Sequence, residues 1–521
     1  MALPPTSDFP PAPESSTDAE KSESLAHRRL VFTAIMATTF MVAIEINIVA
    51  TAMPSIVPQL GGFNLYSWVF AGFLLPQAVT VPIYGKFADL YGRRRILFIG
   101  IVVFLVASFL CGLATSMPEL IVYRGLQGVG AGAVLPVAHT VVGDIFTPEE
   151  RARMQGYIAT VWATSAIVGP ALGAVIVAHL DWRWVFWINL PLGFIALAML
   201  RAYYREAIVR RSHQIDFIGA GLLMVGSGAL MLALVQAASY PTEMLAGLFL
   251  ITLSCAALLW RVEQRALEPM LPPSLWRTPV VRTATLGTIV IGALAMGIIT
   301  YLPVHVQGVL GQSADVVALA LAMMAIAWSF CAGFGGRLSI RTSYRLVIGI
   351  GSVILIGGTA FLTVLPPTSV SVEIIIIGSM IVGMGLGFTS STYVVAVQTN
   401  VGWQIRGAAT SAIHFARMLG SALGAALFGM IVNLSLRQRG VASSEIASLM
   451  DPLRREQLVE TTRAPLTAAL GNSLTEVYLI TGLMAVLALL VGLYMPRGLN
   501  PGTSLGSQNP LETTRTRPPT G

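Results

Sequence analysis

The sequence predicts an all-α membrane protein: fourteen helical spans forming two six-helix bundles, with two additional transmembrane helices inserted between them. Three observations predict it. The 521 residues are 55% hydrophobic and only 11% charged, with a mean hydropathy of +0.75, which is more apolar surface than a water-soluble fold of this size hides. Apolar runs of the ~20 residues needed to cross a bilayer recur fourteen times. A glycine-led basic loop occurs twice, as Gly85-Lys-Phe-Ala-Asp-Leu-Tyr-Gly-Arg-Arg and as Gly336-Arg-Leu-Ser-Ile-Arg-Thr-Ser-Tyr-Arg. Each follows the second helix of a six-helix unit once two central spans are set aside.

The elements follow in order. Residues 1–29 are rich in Pro, Ser and Glu and are expected to be a disordered cytoplasmic tail. Arg28-Arg29, an apolar run and Ala50-Thr51-Ala52 imitate a secretory signal. That run is longer than the ~7–15 residues of a signal core and contains Glu45, so it reads as a retained first span. The spans of the first bundle, 30–203, fall near 30–52, 67–85, 96–116, 119–142, 156–179 and 186–203. The inserted pair, 216–261, comprises 216–237 and 244–261. The second bundle, 284–496, has spans near 284–307, 315–336, 346–365, 374–398, 407–434 and 475–496, with a long outer loop at 435–474. Residues 497–521 are expected to form a second disordered cytoplasmic tail.

An even number of spans puts both termini on one side, and Arg and Lys decide which. Loops on the side of the amino terminus carry Lys86, Arg93 to Arg95, Arg151, Arg153, Arg201 to Arg211, Arg261 to Arg282, Arg337 to Arg345 and Arg406. The opposite loops hold few basic residues apart from Arg183 and those in 435–474. Both termini are therefore expected in the cytoplasm. The net charge of +7 is spread between apolar segments instead of forming one stripe, which argues against a nucleic-acid partner. Cys111, Cys255 and Cys331 stand alone in apolar runs, leaving no disulfide framework and no metal site. No phosphate loop, HExxH or nucleophile elbow points to an enzyme, and the tails are too short for a sensor's output domain.

Six-span repeats are a signature of transporters, and several motifs sharpen that reading. The loop GKFADLYGRRR is similar to the G-x-L-a-D-r-x-G-r-[RK] signature of the major facilitator superfamily, with Gly85, Asp89, Gly92, Arg93 and Arg94 matching. Arg124-Gly-Leu-Gln-Gly looks like its R-x-x-q-G motif in span four. Gly169-Pro170-Ala-Leu-Gly173 resembles the antiporter motif of span five, with Ala174 where a second glycine is usual. Ile44-Glu45-Ile-Asn-Ile-Val-Ala-Thr-Ala-Met-Pro54 resembles L-D-x-T-I-V-x-x-A-x-P, with Glu45 replacing Asp. Asp181-Trp-Arg-Trp-Val-Phe-Trp-Ile-Asn189-Leu-Pro191 is also typical of the fourteen-span drug:proton antiporter branch. The resemblance runs from about Leu30 to Pro496. It implies a monomeric, proton-driven exporter of amphipathic, often cationic, small molecules in a bacterial cytoplasmic membrane, with no cofactor beyond the proton gradient. The runner-up cargo is a dedicated metabolite, lipid or siderophore.

The residues carry their own physics. A charge near a bilayer centre costs ~2.5–3.5 kcal/mol on insertion scales and is seldom kept without a use. Span one runs outward and span four inward, so Glu45 and Arg124 fall at similar depth. Such a pair takes and releases a proton as its surroundings change, or else is a static ion pair that fixes packing. Asp89 and Arg93 lie in an aqueous loop where a salt bridge is worth ~0–1 kcal/mol. The resemblance implies that this loop latches the halves in one state, with Asp144 as a possible partner. Gly169, Pro170 and Gly173 bend span five and serve either gating or close packing. His414 and Arg417, three apart, share a face of span thirteen and are candidates for the substrate cavity, with helix pairing as the alternative. His139, His305, Gln307, Gln398 and Asn400 read as structural, and Trp68, Trp162 and Tyr393 either as pocket aromatics or as interface anchors.

Overall fold

The computed structural model describes residues 18–146, 148–204, 206, 216–237, 240–266, 273–364, 371–401 and 403–496. Among the described residues, seventeen α-helices follow one another: α1 (Asp18–Leu60), α2 (Tyr66–Tyr91), α3 (Arg93–Leu113), α4 (Met117–Ile145), α5 (Pro148–His179), the single turn α6 (Trp184–Trp187), α7 (Asn189–Tyr203), α8 (Phe217–Val235), α9 (Thr242–Arg265), α10 (Pro279–Val304), α11 (Ala314–Arg341), α12 (Tyr344–Val364), α13 (Val372–Asn400), α14 (Trp403–Gln438), α15 (Ser443–Met450), α16 (Pro452–Gln457) and α17 (Glu460–Leu493). Thirteen of these described helices are long and apolar enough to cross a membrane. The helix separating this from the expected fourteen is α2, which lies between α4 and α14 over 26 residues.

Local chemistry sets the ends. Helix α1 begins at Asp18, twelve residues before Leu30, so part of the expected amino-terminal tail is helical; the stretch opens DAEKSE, and an acidic opening suits the helix dipole. Gly92 joins α2 to α3 with φ 94 and ψ 139, a backbone conformation open to glycine and closed to residues with a Cβ. Ser116 caps α4 through the Glu119 amide, and the Glu119 carboxylate accepts from the Thr115 amide at 2.9 Å. The tails 1–17 and 497–521 lie outside the described residues.

Helices α1–α7 form one half, and α10–α14 with α17 the other. Close approach depends on missing side chains: Gly424 of α14 lies against Ala293 of α10, and Gly387 of α13 against the Trp328 carbonyl of α11. Between the halves, α2 packs on α14, α5 on α11 and α1 on α10. Helix α8 touches both α2 and α14, whereas α9 rests chiefly on α8 and is otherwise largely exposed.

We call the end where α1 begins the basic end, because Arg28, Arg29, Arg93 to Arg95, Arg337, Arg341 and Arg345 gather at helix ends there. At the opposite end the halves are tied together. Tyr66 donates to the Thr300 carbonyl at 3.0 Å, Asn433 to the Asn64 carbonyl at 2.8 Å, and Gln307 to the Thr51 carbonyl at 3.4 Å.

The segment 435–474 is more ordered than a loop. Helix α14 continues to Gln438, α17 starts at Glu460, and between them α15 buries Ile446, Leu449 and Met450 against α1 and α17. Arg455 of α16 donates to the carbonyls of Gln307, Gly308 and Val309 at 2.9, 2.8 and 3.0 Å, capping the π-helical turn that ends α10. Desolvation, and then Arg463, pull this guanidinium below its ordinary pKa.

Candidate functional site

Glu45 and Arg124 meet inside the first half. Arg124 Nη1 donates to Glu45 Oε1 at 2.6 Å, and both side chains are fully buried. The same Nη1 donates to Gln127 Oε1 at 2.6 Å, while Nε donates to the Val69 carbonyl of α2 at 3.2 Å. The other carboxylate oxygen, Oε2, accepts from Asn189 Nδ2 of α7 at 2.7 Å, and Gln127 Nε2 donates to Ser108 of α3 at 2.8 Å. Five helices therefore converge on one acid. The guanidinium carbon lies 4.2 Å from the centre of the Phe73 ring, and Nη2 has no hydrogen-bond partner among the described residues.

The segment from Asp181 to Pro191 holds this site from one side. Trp182 donates to Gln59 near the end of α1 at 2.9 Å, Phe186 lies 6.0 Å from the Arg124 guanidinium, and Asn189 reaches Glu45. From another side, α5 lies tightly on the turn of α1 that carries Glu45. A Cβ at Gly169 would sit 2.9 Å from that of Asn47, and one at Gly173 would sit 2.9 Å from the Ile48 carbonyl. Pro170, between them, has no amide hydrogen to donate within α5.

Asn189, Gln127 and Ser108 are absent from the candidates that the sequence suggests. Asn189 and Gln127 both lie in motifs read there, and Gln127 follows Arg124 by one helical turn, but a neutral amide gives no hydropathy signal. Glu206 is absent as well. It accepts from the amides of Arg93 and Arg94 at 2.8 and 3.0 Å, so it caps α3 from beyond the end of α7. Gly85 and Gly92 lie in and just after the last turns of α2. The side chains of Asp89, Asp144 and His139 lie outside the described residues.

In the second half, His414 is exposed and Arg417 partly exposed on α14. Among the other histidines, His305 is buried, with Nδ1 3.0 Å from the Tyr478 hydroxyl, and not at a rim. Tyr393 is buried against Gly287, so it lines no open pocket. The reason is that α13 turns this ring into the helix packing. The three cysteines are free and buried.

Residues 35–425 match the profile of the Major Facilitator Superfamily. The chain belongs to that superfamily. This facilitator is 32% identical over 489 residues to Multidrug resistance protein 3 of Bacillus subtilis, across 90% of this chain and 95% of that protein. It is also 32% identical over 437 residues to the multidrug transporter protein MdtP of the same species, across 83% and 80%. Its fold is similar to that of a bacterial homolog of the human lysosomal transporter Spinster, with a TM-score of 0.67 at 16% identity over 91% of this chain and 98% of that one. A D-xylose-proton symporter gives 0.61 at 15% identity over 92% and 98%. This facilitator is thus a multi-pass membrane transporter of small molecules, and its relatives are transporters, not enzymes.

Proposed function

We propose that this facilitator exports drug-like amphipathic compounds in exchange for protons, as a monomer and without a cofactor, across a bacterial cytoplasmic membrane with its basic end in the cytoplasm. The observation that carries the proposal is the burial of Glu45. Among the described acids it is the one that is fully buried within a span: Glu263 lies at the end of α9, and Glu476, midway along α17, is partly exposed and pairs with Arg439. Removing two charges from water costs several kcal/mol per ion even when they pair, so a static pair is a poor stabiliser. A carboxylate that alternates between Arg124 and a proton has a reason to be there.

The coupling follows from what shares α1. Glu45 and Thr51 are six residues apart on this helix, about 9 Å, and the Thr51 carbonyl receives Gln307 from the other half. Protonating Glu45 releases Arg124 towards Gln127 and the Val69 carbonyl. The turn of α1 facing Gly169 and Gly173 then shifts against α5, and the tie at Thr51 loosens. In the alternate state Gly85, Asp89, Gly92, Arg93 and Asp144 latch the halves at the basic end, and Gly169, Pro170 and Gly173 set the bend through which α5 moves. The names of the two Bacillus relatives support a multidrug cargo.

The test is flux of ethidium in proteoliposomes under an imposed pH gradient. Wild type accumulates the dye only with the gradient, an uncoupler abolishes this, and Glu45→Gln loses it. Undiminished gradient-driven flux in Glu45→Gln would remove the acid from the mechanism.

A further inference from the structure

A stripe along α14 passes from exposed to buried along the length of the helix. His414, Arg417, Ser421, Ala425, Phe428, Val432 and Ser435 follow at intervals of three and four residues and so share one face. Towards the opposite end the stripe is closed: Ala425, Phe428, Val432 and Ser435 are buried, with Phe428 against Gly297 of α10. Towards the basic end the same face is open: Ser421 and Arg417 are partly exposed, and His414 is exposed. The buried part packs on α10, where Ser421 also donates to the Gly292 carbonyl at 3.1 Å, and the face opens from there towards the basic end. A charged side chain on the open part faces the bundle interior or a water-filled space and not lipid.

Arg417 stands at mid-span depth. Its backbone carbonyl abuts Gly292, which is thirteen residues after Pro279 and twelve before Val304, the middle of α10. Among the described residues its side chain makes no ion pair or hydrogen bond, and its nitrogen atoms are not sealed away. Glu45 pairs with Arg124, and Glu476, midway along α17, pairs with Arg439. Arg417 has no such counter-charge among the described residues, which leaves it an uncompensated positive charge within α14. A guanidinium at that depth costs several kcal/mol unless an anion or water meets it, and its planar fork suits a carboxylate or sulfonate bidentately.

We infer that Arg417 binds an acidic group of the transported compound, so that the cargo range extends to amphipathic organic acids and zwitterions. This adds an acidic class to the cationic cargo expected from family resemblance. It rests on the exporter reading for the direction of transport but not for binding.

The experiment measures both quantities. Fluorescein, an amphiphilic anion, is titrated against the full detergent-solubilised chain and followed by anisotropy. Wild type binds it, Arg417→Gln weakens binding about tenfold or more, as loss of a charge-assisted hydrogen bond does, Arg417→Lys recovers part of the loss, and Glu45→Gln binds as wild type does. In proteoliposomes the ratio of fluorescein to ethidium flux falls in Arg417→Gln. Melting of each variant verifies its fold, and Arg417→Lys serves as the readout if the glutamine variant does not fold. Absence of fluorescein binding to wild type, or equal binding by wild type and Arg417→Gln, overturns the inference. Ethidium flux without fluorescein binding leaves the exporter reading standing and sinks the acidic cargo. Arginine-dependent fluorescein binding without gradient-driven flux of either dye does the reverse.

Discussion

Asn189 Nδ2 lies 2.7 Å from Glu45 Oε2, on the carboxylate oxygen that Arg124 leaves free. An amide from α7 and a guanidinium from α4 thus take one oxygen each, and α1 is fixed between them. Asn189→Ala leaves a buried acceptor unpaired, which costs about 1–3 kcal/mol. Melting should fall accordingly. Because both substitutions act on one carboxylate, the effects of Asn189→Ala and Glu45→Gln should be less than additive in a double-mutant cycle. Strict additivity would show that the amide and the acid do not act as a unit.

Arg124→Ala strands the Glu45 carboxylate in a sealed site and should cost about 3–5 kcal/mol of stability, as breaking one side of a buried pair does. The double variant Glu45→Gln/Arg124→Gln removes both charges and should recover most of that loss while remaining inactive in proton-driven flux. Thermal melting and transport measured on the same preparations separate the two effects. If the double variant both melted and transported like wild type, the pair would be neither a structural nor a coupling element.

The visibility of these residues in the sequence is uneven, for physical reasons. Glu45 and Arg124 stand out because a charge in an apolar run has a cost that hydropathy registers, and helix rise alone places them at one depth. Asn189, Gln127 and Ser108 complete the network but are ordinary polar residues whose partners are far away in sequence. The same limit hides Glu206, one of two acids in a basic connection. Helix α15 escapes notice because its apolar positions, Ile446, Ala447, Leu449 and Met450, are too few to stand out in a polar segment of forty residues. The spans themselves are legible since each must hide its own backbone from lipid.

The glycine contacts of α5 give a third prediction. Gly173→Val puts its Cβ 2.9 Å from the Ile48 carbonyl and 3.1 Å from the Thr51 Cβ, both on α1, so α5 must withdraw from the helix that carries Glu45. Gly333 and Gly349 lie on α11 and α12 with nothing within 4 Å of an added Cβ. Gly173→Val should lower both melting temperature and flux. Gly333→Ala and Gly349→Ala should match wild type or gain slightly, since alanine favours a helix by up to about 1 kcal/mol. Equal behaviour of all three in melting and transport would mean that the α1–α5 contact has no special role.

The ties at the opposite end supply the last prediction. Asn433 and the Asn64 carbonyl are 2.8 Å apart across the two halves, and Arg455 holds the turn whose Gln307 reaches Thr51. If the cycle requires these ties to break, a covalent bond in their place must stop it, whereas weakening them must favour the alternate state. Asn64→Cys/Asn433→Cys should lose gradient-driven flux on oxidation and regain it on reduction, and the buried native cysteines should not interfere. Arg455→Ala frees three carbonyls at the end of α10. Added to the single variant Asn64→Cys, it should make the introduced thiol react faster with a water-soluble maleimide, because the seam opens more often. Full flux through the oxidised, cross-linked protein would show that the halves do not part at this end, and that the rocking motion on which the proton cycle depends takes place elsewhere.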